Sequence, residues 1–350
     1  MTLKTKTMKK RHIPLFLQVA VLTGILLVIL ITTACHKEDP LAGQARIVRL
    51  DAAVDTVIPP TAKIEKLAGG FKYTEGPVWH HDGYLLFSDL ESDQVYKWMP
   101  NGRISVLQET RPYTGKDRTD HFFFRSNGLT LDREGKLTIC GHGNRRIMRV
   151  EKTGLLTVLA DRYEGKRLNS PNDLVYRSDG TLYFTDPPFG LPKSFDDPQR
   201  ELSYSGIFSL QNGRLQLLRM ELSGPNGLAF APDEKYLYVT NSDAKKPIVM
   251  RYEVNVDGTL SNSRVFFSMT NASGNTQDLD GMKVDQQSNL YVTGPGGLWI
   301  ISDTGKHLAT ITGPEFTANI AWGNEDGRTL YMTATTGLYR IRLNIPGIQP

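Results

Sequence analysis

Pro225–Asn241 reads PNGLAFAPDEKYLYVTN: a polar pair, an apolar run, a turn-forming stretch, and a second apolar run that ends in Thr-Asn. Alternation of apolar with β-branched or aromatic residues over roughly four to six positions, bounded by turn residues, describes two antiparallel strands. The phrase returns as EGPVWHHDGYLLFSD from Glu75, SNGLTLDREGKLTICGHG from Ser126 and PNDLVYRSDGTLYFTD from Pro171. It returns again as LDGMKVDQQSNLYVTG from Leu279 and ANIAWGNEDGRTLYMTA from Ala318. The copies recur about every 49 residues, a period in the range of propeller blades. Further strand-length runs (RIMRVE, GIFSLQ, VMRYEV, LWIISD, LYRIRL) follow the paired ones, so each repeat supplies four strands. No useful helical periodicity appears after Cys35. The fold class is therefore all-β, a six-bladed β-propeller. The segment Ile47 to Leu67 is expected to complete the last blade and close the ring. Even spacing disfavours the rival, a stack of two smaller all-β domains.

Aligning the copies puts Glu75, Asn127, Asn172, Asn226, Asp280 and Asn319 in one column. In a propeller that column opens the innermost strand of each blade, at the mouth of the central channel. The returning strands bring Asp89, His142, Asp186, Asn241 and Gly294 near the same face. Two carboxylates among neutral carboxamides, without cysteine or a histidine cluster, suit a hard divalent cation. Ca²⁺ fits such irregular oxygen coordination best, with Mg²⁺, Mn²⁺ or Zn²⁺ as other occupants. Asparagine at a strand opening also has a plain turn role. That role suits Asn319, leaves Asn127 open between the two, and does not suit Glu75.

The formal net charge of the 350-residue chain is +4, much of it from Lys4, Lys6, Lys9, Lys10 and Arg11. The remainder is near neutral, which gives no footprint for nucleic acid. The basic start leads into an apolar run that ends in ITTAC at Cys35. This resembles a bacterial lipoprotein signal in which Cys35 is lipidated, with Thr32 where leucine is usual; an uncleaved membrane anchor is the alternative. Either reading places the folded part outside the cytoplasmic membrane, in the cell envelope, facing the periplasm or the cell surface. The expected organisation is a signal segment over 1–35, a polar tether over 36–60 and a propeller over 61–345. Cys140, the other cysteine, reads as a small buried hydrophobe without a disulfide partner. Oligomeric state is not written in the sequence.

The ordered set EGPVW, RSNGL, NSPNDLV, YFTDPPFG, GPNGLAF and LDGMKVD, over about residues 60–340, resembles the gluconolactonase/regucalcin (senescence marker protein 30) family. CGHGNRR…ADRYEGKRLNSPND is most similar to its bacterial gluconolactonase branch. The resemblance implies a six-bladed propeller that opens sugar lactones with a divalent metal. It implies metal ligation by Glu75, Asn226 and Asp280, and substrate contact by Asn172, which Asp173 follows. Ser170 stands where regucalcin carries a substrate-binding arginine, so hydroxyl recognition must differ.

The expected chemistry is metal-assisted hydrolysis, with the lactone carbonyl polarised and water activated by Asp280. Asn172 hydrogen-bonds the substrate, and His142, flanked by glycines, is a second base candidate. Asn127 and Asp186 stand beside the substrate, with Asp186 more a positioning group than a ligand. Phe189 and its prolines shape a loop over the mouth. His80 and His81 read as surface residues, and Arg145-Arg146 as exposed strand-edge charges. No G-x-S-x-G elbow or phosphate loop is present, which argues against a covalent serine hydrolase. Two other functions share the fold: a propeller esterase or phosphotriesterase, and a non-catalytic sugar- or protein-binding propeller with a structural ion.

Overall fold

The second strand of each repeat is buried almost throughout, because a neighbouring blade covers each of its faces. Leu137–Gly141, Leu182–Asp186, Leu290–Gly294 and Thr329–Ala334 are buried at every position. Outer strands such as Arg214–Arg219 alternate instead between exposed and half-buried residues. The computed structural model describes residues 45–109, 126–269 and 278–350. The expected signal segment, Cys35 and the start of the expected tether lie outside the described residues.

Among the described residues six antiparallel sheets follow one another around the ring, five of four strands and one of five, beside a two-stranded ribbon of Arg162–Tyr163 and Lys166–Arg167. Their inner strands are Thr74–His80, Leu129–Leu131, Leu174–Tyr176, Pro225–Phe230, Met282–Val284 and Thr317–Gly323. Each contacts the next, and the last contacts the first, so the ring is closed. The six-bladed expectation holds, and each repeated phrase is the inner hairpin of one blade. In the fourth blade, for example, Leu228 pairs with Val239 and Phe230 with Leu237.

Hydrophobic residues fill the wedges between blades. Leu228, Phe230, Leu237 and Val239 pack on Tyr183 and Ile207 of the preceding blade. Each fully buried side chain of this kind stabilises the fold by about 1.5–3 kcal/mol. The seam between first and last blades is sealed by Trp79, which stacks on Tyr331 with centroids 5.3 Å apart. Thr74 Oγ1 reaches the Ala334 and Gly337 carbonyls, at 3.2 Å each.

The N-terminal segment does two jobs where one was expected. Glu65–Gly69 pairs with the strand Gly337–Arg342 and completes the last blade. Arg46–Arg49 instead adds a fifth, outermost strand to the fifth blade, against His307–Thr312. Between them the short helix Val54–Val57 buries Val54, Val57 and Ile58 against the fifth and sixth blades. The expected tether over 36–60 is thus folded chain from Arg46 on, because these apolar groups have a wedge to fill. At the other end, folded chain runs past 345: Ile348 N–H donates to the Val284 carbonyl at 3.2 Å, and Gly347 pairs with Asp285. No helix among the described residues is long and apolar enough to cross a membrane.

Candidate active site

A glycine follows the column residue in four blades, and its job is close approach between blades rather than a turn. A Cβ on Gly76 would fall 2.1 Å from the Asn127 carbonyl oxygen, and one on Gly128 would fall 2.7 Å from that of Asn172. One on Gly227 would meet the Asp280 carbonyl at 2.6 Å. Only a residue without a side chain lets the inner strands converge this tightly at the axis. In four blades a hydroxyl on the second strand then ties the blade to the next. Ser88 donates to the Asn127 carbonyl at 2.7 Å, Thr185 to that of Asn226 at 2.8 Å, and Thr240 to that of Asp280 at 2.8 Å. Cys140, buried and without a disulfide, holds the corresponding place in the second blade.

This convergence brings Glu75, Asn127, Asn172, Asn226 and Asp280 to the wall of one cavity of about 550 Å³. Tyr73, His142 and Phe189 share the wall, and Glu91 and Asp278 stand at its rim. Asn319 does not line it. Its Nδ2 donates to Glu75 Oε2 at 3.0 Å, while its Oδ1 accepts from Ile320 N–H at 2.9 Å. The turn role expected of Asn319 is thus only half of what it does.

Three of the returning strand ends, Asp89, Asp186 and Asn241, sit behind the wall and hold the segments that enter the column. Asp89 accepts from the amides of Lys72 and Tyr73, at 3.1 and 3.0 Å, just ahead of Glu75. Asp186 accepts from Asn169 N–H at 2.7 Å, just ahead of Asn172. Asn241 accepts from Gly224 N–H at 2.9 Å, just ahead of Asn226. The placement of Asp186 beside the substrate is therefore corrected. It is fully buried and absent from the cavity wall, because the end of a second strand faces the incoming loop rather than the axis. Arg145, expected as an exposed strand-edge charge, is likewise buried, and its guanidinium donates to the carbonyls of Leu168, Asn169 and Gln199.

The electrostatics of the cavity are those of an anion cluster short of a cation. Burial raises the Glu75 carboxyl to about 7, although Gly76 N–H, at 2.7 Å, and Asn319 donate to it. Burial and then the charge of Glu75 hold Asp280 well above the ordinary carboxylate range, and a hydrogen bond from Asn226 offsets part of this. Asp173 stands where four other blades have glycine, and its Oδ2 lies 3.8 Å from Lys283 Nζ. The side-chain oxygens of Asn127 and Asn226 are buried without a hydrogen-bond partner. Orphaned carboxamide oxygens facing two mutually repelling carboxylates are costly alone and fit a hard divalent cation.

His142 reaches the wall with Nδ1 3.0 Å from the Pro171 carbonyl, so that nitrogen carries a proton and donates. Burial lowers the imidazole to about 4, so it is neutral at pH 7. Tyr73 is a wall residue that the sequence reading missed, as it did Leu90, Ser242 and Phe316. Burial, then the charges of Asp280 and Glu75, hold its phenol well above the ordinary value. Its place two residues ahead of Glu75 on an extended chain, hence on the same side, was the available signal.

Two other features stand apart from this cavity. His80, His81 and Asp82 bring their donor atoms within 4.8 Å of one another, at the hairpin that ends the first inner strand. His81 is exposed, as expected of a surface residue, whereas His80, expected there too, is largely covered and stacks on Tyr84 with centroids 4.5 Å apart. An apolar chamber of about 120 Å³ lies further along the inner strands, lined by Leu129, Leu174, Leu228 and Trp322 and closed by Ile348–Pro350.

Comparison with known proteins agrees with this geometry. Residues 73–336 match the family described as SMP-30/Gluconolactonase/LRE-like region. The chain is 38% identical over 306 residues to a gluconolactonase of Zymomonas mobilis, covering 84% of each chain. It is 26% identical over 274 residues to a pentonolactonase of Haloferax volcanii, covering 75% of this chain and 81% of that one. Among solved structures, a gluconolactonase of Xanthomonas campestris superposes with a TM-score of 0.73 at 30% identity, covering 85% of this chain and 94% of the other. The calcium-binding protein regucalcin of Agrobacterium tumefaciens shares the fold, with a TM-score of 0.65 at 18% identity over 81% of this chain and 95% of that one.

Proposed function

Because the chain belongs to the SMP-30/gluconolactonase/LRE-like family, we propose that it hydrolyses sugar lactones at the Glu75–Asp280 cavity with a divalent cation, Ca²⁺ first. One observation carries the cation: the unpaired oxygens of Asn127 and Asn226 close on two buried carboxylates. Glu75, Asn226 and Asp280 would hold it. A dication at that position supplies Lewis-acid polarisation of the lactone carbonyl and stabilises the developing oxyanion. With that charge among them, both carboxylates ionise at neutral pH, which reverses their raised affinity for protons.

Asp280 takes a proton from the attacking water and returns it to the ring oxygen as the acyl C–O bond breaks, leaving the hydroxy acid. Asn172 hydrogen-bonds the substrate, and Asn127 contributes a further oxygen from the cavity wall. His142 is the weaker candidate for base, because a neutral imidazole near 4 draws protons poorly at pH 7. Its contact with Pro171 instead fixes the segment that carries Asn172. For the N-terminus, the reading remains lipidation at Cys35 and attachment to a membrane of the cell envelope, facing the periplasm or the cell surface.

The test is pH-stat hydrolysis of a lactone panel, with and without chelator, on wild type and Asp280→Ala. Chelation should abolish turnover and Ca²⁺ should restore it. Asp280→Ala should lose about 10²–10⁴-fold in kcat, the scale of general base catalysis. Hydrolysis that survives both treatments would overturn the mechanism. Sugar binding without turnover of any lactone would favour a binding propeller, and turnover confined to aryl esters or phosphotriesters would change the substrate class.

A further inference from the structure

Ser170 has an unexpected position. It is fully buried, does not line the cavity, and spends its hydroxyl on the loop after the third blade's second strand. Oγ donates to the Pro187 carbonyl at 2.5 Å and accepts from Gly190 N–H at 2.8 Å. Between these two anchors lies Phe189, whose ring forms part of the cavity wall.

The clamp is tight on every side. A Cβ on Gly190 would fall 2.6 Å from His142 Cδ2 and 2.8 Å from Ser170 Cβ, so the loop rests on the imidazole. The Leu191 amide closes a turn on the Pro188 carbonyl at 3.0 Å. The Phe189 ring tip packs on the next blade, where a Cβ on Gly224 would lie 2.9 Å from Cζ. Phe195 meets the ring edge-on, with centroids 5.8 Å apart. The ring is therefore held between the arm that carries Asn172 and the arm that carries Asn226, and it remains half-buried with an apolar surface toward the cavity.

The geometry points to Phe189 as a specificity-determining wall that takes the C–H face of a sugar-lactone ring, with Ser170 as the residue that positions it. A rigid aromatic surface beside oxygen donors is how a site grips a molecule that is apolar on its ring faces and polar at its edges. Preorganisation by Ser170 and His142 spares the loop an ordering cost when substrate binds. This inference rests on the lactonase reading above.

The experiment is steady-state hydrolysis of glucono-δ-lactone by the Ca²⁺-loaded full chain, comparing wild type with Phe189→Ala, Phe189→Tyr and Ser170→Ala, with melting temperatures alongside. Phe189→Ala should raise KM at least tenfold with kcat within about threefold, the mark of lost uniform binding. Phe189→Tyr should restore KM to within about threefold of wild type. Ser170→Ala should raise KM in the same direction. An unchanged KM in Phe189→Ala, in a protein that melts like wild type, overturns the inference while leaving the lactonase reading intact. Failure of Phe189→Tyr to restore KM also overturns it. A wild type that hydrolyses no lactone overturns both.

Discussion

Asn319 Nδ2 donates to Glu75 Oε2 at 3.0 Å, across the seam where the sixth blade meets the first. The contact joins residues 244 positions apart and turns a ring-closing residue into the support of an acidic group in the site. A hydrogen bond to a charged group contributes about 1.5–3 kcal/mol. Asn319→Ala should therefore weaken Ca²⁺ binding by about ten- to a hundredfold, read by calorimetric titration. Unchanged affinity would show that Glu75 does not hold the ion or does not need this support.

The acid limb of stability should carry the signature of His142. Its folded value, about 4, lies below the ordinary 6.5, because burial disfavours the imidazolium. Between these values the unfolded chain takes up a proton and the folded chain does not. Stability is therefore complete above about 6.5 and falls as pH drops toward 4, by about 2 kcal/mol at pH 5. Asp186 has the opposite sign: burial raises it from 3.8 to about 7, so its contribution is complete at low pH and is lost as pH rises through that window. Urea melts at pH 5 and 7 should show a smaller acid loss in His142→Gln than in wild type, and Asp186→Asn should remove the opposing trend. A His142→Gln profile parallel to wild type would contradict the neutral, buried imidazole.

Charge at the mouth predicts discrimination among lactones. Glu91 and Asp278 stand at the rim above Glu75 and Asp280, and no lysine or arginine lines the cavity among the described residues. A 6-phosphorylated gluconolactone should therefore show a KM at least tenfold above that of the neutral lactone, equivalent to about 1.4 kcal/mol. The gap should narrow in a Glu91→Gln/Asp278→Asn double variant, and also in high salt, which screens exposed charges. Equal KM values for the two substrates would refute it.

Much of the site was legible in the repeat, because a propeller maps one sequence column onto one ring of space. Five of the six column residues line the cavity for that reason. What was not legible depends on contacts between strands far apart in sequence. Arg145 looks like a surface charge in an Arg-Arg pair, and only the fold brings it the carbonyls of Leu168, Asn169 and Gln199 to bury against. Asp186 belongs to the same face as the column in sequence, yet strand direction turns it behind the wall. Ile47 has strand character, but nothing local says that its strand pairs with the fifth blade rather than the sixth.

By itself the sequence determined the number of blades, the hairpin at the heart of each, and the oxygen-rich column. These follow from periodicity, turn chemistry and side-chain type, all of them local properties. Tertiary structure alone decided which oxygens face the cavity unpaired, that Asn319 supports Glu75, and that Ser170 serves Phe189. Those outcomes depend on how neighbouring blades converge on the axis, where a glycine's missing Cβ or a single hydroxyl sets the spacing between chains distant in sequence.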